Sequence, residues 1–310
     1  MPGRPTLRGT VEGAGPRLTL VHGFTQTGRS WGEVARLFAT GFEVVRVDLP
    51  GHGLSAAVRM SFEDTASAIG DAGGRGVYVG YSMGARLCLR LALDRPELVR
   101  ALVLVGGSPG LTTDLERSSR RAADNRLADD IEQVGTAAFL RRWLSQRMFA
   151  TLTPTDEDLE SRRSNPPDGL ASALRSLGVA AQEPLWNRLA ELAMPVLLVS
   201  GELDAKFTIA GERMAAAIGR NAQAVALPGC GHAAHLEQPD AFCRLVWRSL
   251  DPKAVHDRNS TPEEGSATEN RASSAASGTT RRTGSRPSTG TSGTDTTSAA
   301  RSEALPRPQA

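Results

Sequence analysis

Gly76-Val77-Tyr78-Val79-Gly80-Tyr81-Ser82-Met83-Gly84-Ala85-Arg86-Leu87-Cys88-Leu89 is the stretch that decides how this chain is read. It begins as an apolar run suited to a buried strand and ends as a helix-forming segment. The pentapeptide Gly80-Tyr81-Ser82-Met83-Gly84 stands between them. A Gly-x-Ser-x-Gly turn from strand to helix holds its serine in a strained backbone conformation, with the hydroxyl exposed at the carboxyl end of a sheet. The turn has two readings: a plain strand-to-helix junction with a capping serine, or a device that presents a nucleophile. The rest of the chain separates them.

An activated serine needs a base, and the base needs an acid to orient it. In this arrangement both follow the serine in the chain, acid first and histidine second. The apolar run at 195–201, bounded by Pro and Gly, reads as a buried parallel strand that delivers Glu202 and Asp204 onto the loop beyond its end. Asp204 is preferred because it lies farther past the strand. A second run, 222–227, leads into Pro228-Gly229-Cys230-Gly231-His232. His232 is placed to take the proton of Ser82, and Asp204 to fix the imidazole tautomer and steady its positive form. A helix N-cap for Asp204 and a loop hydrogen bond for His232 are the plain alternatives, but three positions in the required order disfavour both. The run at 17–21 reads as a central strand followed by His22-Gly23-Phe24. The backbone N–H groups of Phe24 and Met83 are the expected donors to a developing oxyanion. His22, and His52 in the turn-rich loop 49–55, read as structural.

Strand-like and helix-like runs alternate through 17–108 and again through 195–250, which predicts an α/β fold with a mostly parallel, doubly wound sheet. The interval between them is arginine-rich and lacks any strand-like run. It shows helical periodicity around 115–131, 137–149, 154–163 and 170–180. The expected organisation is a core formed by 1–111 and 191–250, a helical lid at 112–190 over Ser82, and a tail at 251–310. That tail is rich in Ser and Thr, and Val255 and Leu305 are its only aliphatic side chains beyond alanine. It cannot bury enough apolar surface to offset chain entropy, so disorder is expected there.

The formal charge of the 310-residue chain is +2, with no basic face or acidic run, so nucleic acid is not an expected partner. No run of about 18 apolar residues exists to span a bilayer. Residues 1–16 lack an apolar segment of the kind a secretory signal carries. Cys88, Cys230 and Cys243 are odd in number and read as free thiols, which predicts a cytoplasmic location. Nothing in the sequence fixes an oligomeric state.

The arginines bear on substrate choice. Ser82 and Arg86 are spaced i, i+4 and share one helix face. A guanidinium on that face, buried without a partner, would be costly. Arg86 therefore requires an anion, either a bound carboxylate or an internal Asp or Glu. In the lid, Arg117, Arg120 and Arg121 share a helix, and Arg162 and Arg163 sit on a later one. Lys206, two residues after Asp204, is the only lysine outside the tail.

With these residues in view, the segments GYSMGAR (80–86), GSPGL (107–111), the arginine helix at 117–126, the Trp143 segment, RSN (163–165), GELDAKF (201–207) and GCGHAAHLEQP (229–239) resemble those of a known family. That family is 2-succinyl-6-hydroxy-2,4-cyclohexadiene-1-carboxylate synthase of menaquinone biosynthesis, within the α/β-hydrolase superfamily. The resemblance spans about 17–250. It implies a lyase step: proton abstraction and loss of pyruvate from a small polycarboxylate, with no metal or organic cofactor. It also implies that Ser82 is the proton-abstracting base, and that Arg86, Arg120 and Arg163 hold carboxylates while Tyr81 and Trp143 line the pocket. Leu144 departs from the pattern, which can carry an aromatic hydroxyl there, and so does the tail. A serine ester hydrolase, or a hydrolase fold that only binds a ligand, are the competing readings. The first shares every triad residue; the second has no use for an intact triad.

Overall fold

Short runs dominated by Val and Leu become strands because both faces of each can be buried. The computed structural model describes residues 5–250; the expected disordered tail lies outside them. Seven strands form one sheet: β1 (Gly9–Glu12), β2 (Arg17–Val21), β3 (Glu43–Val47), β4 (Gly76–Tyr81), β5 (Val99–Val105), β6 (Val196–Gly201) and β7 (Ala222–Leu227). Their order is β1-β3-β2-β4-β5-β6-β7. β1 pairs antiparallel with β3, and every other pair is parallel. Parallel strands require crossovers, and helices supply them: α1 (Gly32–Phe38), α2 (Phe62–Gly73), α3 (Met83–Asp94), α7 (Ala205–Ile218) and, after β7, α8 (Ala234–Glu237) and α9 (Pro239–Leu250).

Period-two alternation sends successive strand residues to two separate cores. Leu18, Leu20, Val77, Val79, Val103 and Val105 pack with Trp31, Phe38, Phe242 and Val246 of the α1/α9 side. Val21, Tyr78, Leu102, Leu104 and Leu198 pack with Phe62, Leu87, Leu91 and Met214 of the other side. The sheet is thus covered on both faces. β4 lies in the middle with all six residues buried, so the turn at its carboxyl end is rigidly held.

Between β5 and β6 the chain forms α4 (Asp114–Leu144), α5 (Asp156–Arg163) and α6 (Pro167–Leu177). Gly135, at φ 77° and ψ 163°, breaks α4 into two helical pieces. α4 packs on α6. Ala128, Ile131, Phe139, Leu170, Ala171 and Leu174 give this insertion a core of its own, and Phe24 and Trp143 pack against it.

Candidate active site

Ser82 follows directly on β4 and precedes α3. Its backbone lies at φ 51° and ψ −104°, in the region where a β-carbon is strained, at a cost of order 1–3 kcal/mol. Its N–H donates to the carbonyl of Val105 at 2.8 Å, which anchors the bend to the neighbouring strand. Gly84 makes the bend possible, because a Cβ there would stand 2.2 Å from the carbonyl oxygen of Val21. Ser82 and Asp204 both occupy helix N-cap positions, yet neither side chain caps its helix. The plain alternatives for both residues end there.

Their side chains meet His232 instead. A carboxylate can only accept, so His232 Nδ1–H donates to Asp204 Oδ2, at 2.6 Å. That leaves Nε2 to accept from the Ser82 hydroxyl, at 3.1 Å. Glu202 is used elsewhere: its Oε2 accepts from the N–H of Gly229 at 2.9 Å and braces the histidine loop. His232 is 2% exposed. Its ring is flanked by Phe207 at 4.7 Å, Tyr81 at 5.3 Å and Phe149 of the insertion at 6.1 Å. Its own N–H donates to the carbonyl of Met148 at 3.2 Å, which ties the loop to the insertion.

His22 and His52 are bound into the frame. His22 Nε2 accepts from the N–H of Leu49 at 3.0 Å, so Nδ1 carries the proton and donates to the carbonyl of Gly23 at 2.8 Å. Burial pushes the pKa of His22 down to about 4. His52 donates from Nδ1 to Pro50 at 2.9 Å. Burial, and then the neighbouring His22, lower it to about 3. Both stay neutral near pH 7. Gln26 fixes the strand-end turn by accepting from the N–H of Gly23 at 2.9 Å, while its own N–H returns to the Gly23 carbonyl at 3.2 Å. The N–H of Met83, first residue of α3, has no acceptor within its own helix.

Arg86 is buried on α3. Its Nη2 donates to the carbonyl of Leu177 at 2.7 Å and its Nη1 to Gln182 Oε1 at 3.3 Å. Its guanidinium carbon lies 5.5 Å from the centre of the Phe62 ring. Burial, and then repulsion from Arg120, lower its pKa to about 9, with Asp124 opposing. The sequence left open whether Arg86 serves a ligand or an internal acid; its direct partners are neutral. Arg120 Nε donates to Asp124 Oδ1 at 2.7 Å, while Asp124 Oδ2 is buried without a hydrogen bond, and burial raises the pKa of that carboxyl. Arg121 donates to the carbonyl of Ala180 at 3.0 Å, and Arg117 pairs with exposed Asp114. Of these three arginines, Arg120 shares a cluster with Arg86.

The remaining expected residues are placed as follows. Trp143 stacks on Phe139 and meets the Phe24 ring edge-on at 5.3 Å, and its Nε1–H is buried without an acceptor. Tyr81 is 3% exposed, and its ring lies 5.3 Å from that of His232 and 4.4 Å from that of His235, so it backs His232. Arg163 is exposed on α5, whereas its neighbour Arg162 is buried and bonded to Asp158 and Thr25. Lys206 is exposed, 5.3 Å above the Phe207 ring. Gln182 and Asp124 belong to the surroundings of the site and carry no motif that sequence reading could find; Arg162 and Asn165 lie in segments the sequence singled out, but without a role of their own. Two cavities, of about 560 and 430 Å³, are lined by other residues and include none of Ser82, Asp204 and His232.

A serine, an imidazole and a carboxylate in this relay are the machinery of proton transfer and nucleophilic attack on a carbonyl substrate. The chain belongs to the alpha/beta hydrolase family, whose profile matches residues 20–245. Within that family it resembles 2-succinyl-6-hydroxy-2,4-cyclohexadiene-1-carboxylate synthases. The protein of that name from Salmonella schwarzengrund is 33% identical over 249 residues, covering 77% of this chain and 92% of the relative. A Bacillus subtilis protein provisionally assigned the same name is 31% identical over 262 residues, or 79% and 95% of the two chains. Among solved structures, MenH from S. aureus superposes with a TM-score of 0.72 at 26% identity, covering 82% of this chain and all of that one. A thermophilic esterase from Thermogutta terrifontis reaches 0.69 at 24% identity, over 81% and 94% of the chains, which marks the fold alone. Among the described residues no helix is long and apolar enough to cross a membrane.

Proposed function

We propose that the chain is a carbon–oxygen lyase of menaquinone biosynthesis. It removes pyruvate from 2-succinyl-5-enolpyruvyl-6-hydroxy-3-cyclohexene-1-carboxylate and leaves 2-succinyl-6-hydroxy-2,4-cyclohexadiene-1-carboxylate. The proton on ring carbon 2 is acidic because it lies beside the succinyl ketone. Ser82 takes it while His232 Nε2 accepts the hydroxyl proton, and Asp204 steadies the imidazolium. Negative charge gathers on the ketone oxygen, where the Phe24 and Met83 amides are its donors. The electron pair then moves across the ring double bond and breaks the bond between carbon 5 and oxygen. The released enolpyruvate becomes pyruvate by tautomerisation, and every step balances with general acid–base chemistry alone.

The observation that carries this reading is Arg86: buried, one helical turn from Ser82, and bonded directly to neutral acceptors. A cation so placed is best satisfied by a bound carboxylate. Arg120 adds a second positive charge, Arg163 stands on the insertion for a further one, and the unpaired Nε1–H of Trp143 offers a neutral donor. The insertion at 112–190 is then a lid whose contacts at Met148 and Phe149 close over the histidine. The buried free thiols Cys88, Cys230 and Cys243 favour a reducing, cytoplasmic setting.

A coupled assay for pyruvate on enzymatically generated precursor tests the reading. Pyruvate release with weak turnover of p-nitrophenyl esters is expected. Rapid ester cleavage without pyruvate would make the chain a serine ester hydrolase instead.

A further inference from the structure

Among the described residues, two that are not glycine have positive φ: Ser82, and Thr25 at 70°. Thr25 follows Phe24, the proposed oxyanion donor. Glycine would take this conformation freely, whereas a β-branched residue is held there against its preference. The hydroxyl of Thr25 accounts for its use, because it accepts from Arg162 Nη1 at 2.8 Å. The carbonyl of Thr25 accepts from Asn165 Nδ2 at 2.9 Å, and Asn165 Oδ1 in turn accepts from the N–H of Gly53 at 2.9 Å. All three residues are at most 2% exposed.

Arg162 itself is anchored by Nε to Asp158 Oδ2 at 2.6 Å, and the other oxygen of Asp158 accepts from Ser30 at 2.7 Å. Ser161 meets Thr27 at 2.5 Å. Four side chains of α5 and the turn after it, Asp158, Ser161, Arg162 and Asn165, therefore grip the segment 25–30. On the near side of Phe24, Gly23 is already fixed at both its N–H and its carbonyl by Gln26. Phe24 is bracketed: on its far side the insertion holds Thr25, while Asp48 of the core holds Gly28 farther along by accepting from its N–H at 2.6 Å. Burying an ion pair for stability alone is poor economy, since apolar replacements do as well; using it to hold a strained backbone is a task apolar side chains cannot do.

We propose that Arg162 and Asn165 are positioning residues that act through Thr25 to aim the Phe24 N–H at the developing oxyanion. The inference rests on the reading of Phe24 as an oxyanion donor. It makes seating of the insertion a condition for transition-state stabilisation, separate from any role in binding substrate.

The test compares Asn165→Ala, Arg162→Lys and Arg162→Met with the full chain in two measurements. Hydrogen–deuterium exchange of the 22–27 segment needs no substrate and is expected to rise in all three. In turnover, complete loss of an oxyanion donor costs about 100- to 1,000-fold, so a misaimed one is expected to lower kcat about tenfold or more. KM should stay within about twofold, because uniform binding is untouched. Arg162→Met strands Asp158 and is the variant at risk of not folding; the neutral Asn165→Ala carries the test in that case. Combined with Thr25→Gly, Arg162→Met should lose less than the sum of the two single effects, since both act on one peptide. Unchanged loop exchange, additive losses, or a rise in KM at constant kcat would overturn the inference. Should the wild-type chain release no pyruvate, the reaction assignment fails by itself; exchange, and acylation of Ser82 by an ester, then supply the same two measurements.

Discussion

The Nη2 of Arg86 donates to the carbonyl of Leu177 at 2.7 Å, which joins the helix that starts at Ser82 to the end of α6 in the insertion. The bond gives a permanently buried cation a neutral acceptor and leaves its charge uncompensated by direct contact. Arg86→Ala is expected to lower kcat/KM for the proposed substrate by about 30- to 5,000-fold, equivalent to about 2–5 kcal/mol, the usual range for losing a desolvated charge-assisted contact. Its effect on a neutral ester should be slight. Steady-state kinetics on both substrates check this, and equal losses on the two would show that Arg86 only braces the insertion.

The relay at 2.6 and 3.1 Å implies a steep dependence on Asp204. Asp204→Asn keeps the shape but favours the wrong imidazole tautomer, so kcat should fall by about 10³–10⁴ with the fold intact. Ser82→Ala should abolish pyruvate release. Retained turnover in either variant would remove the triad from the mechanism. Circular dichroism of both proteins separates this from misfolding.

Gly84 sets the sharpness of the bend. A methyl group there would meet the backbone oxygen of Val21, which no rotamer change can relieve. Overpacking of this kind costs about 3 kcal/mol, so Gly84→Ala should lower Tm by roughly 6–12 °C for a domain of this size. Calorimetry reads the shift. A variant as stable as the wild type would mean that β2 and α3 can move apart.

The neutral, buried pair His22 and His52 gives stability a pH dependence. Their folded pKa values, about 4 and about 3, lie below the ordinary 6.5, so between these limits the unfolded chain binds more protons. Stability is fully present above about pH 6.5 and is lost as pH falls toward 4, at roughly 1.4 kcal/mol per pH unit for each histidine. Urea unfolding at pH 6.5 and 4.5 measures the slope. In His52→Leu the slope should fall by about one proton; an unaltered slope would show that His52 does not contribute to the acid sensitivity.

The sequence by itself determined the parallel strands of the sheet and the order of the three relay residues. The strand–turn–helix signal around Ser82 is local, and Asp204 and His232 each end an apolar run whose strand fate follows from its own side chains. It also read 115–131 and 137–149 as separate helical stretches, and α4 breaks between them at Gly135. β1 escaped it, because four residues with one exposed valine become a strand only by pairing with β3. Which arginines are buried was decided by the tertiary structure alone. Arg162 and Arg163 are neighbours of one type, and only packing buries the first and exposes the second. The partners Thr25–Arg162, Thr25–Asn165 and Arg86–Gln182 lie 137, 140 and 96 positions apart. Periodicity and motif spacing report on a few turns of chain, whereas these contacts exist because the insertion folds back onto the sheet's carboxyl edge, and no short-range pattern encodes that distance.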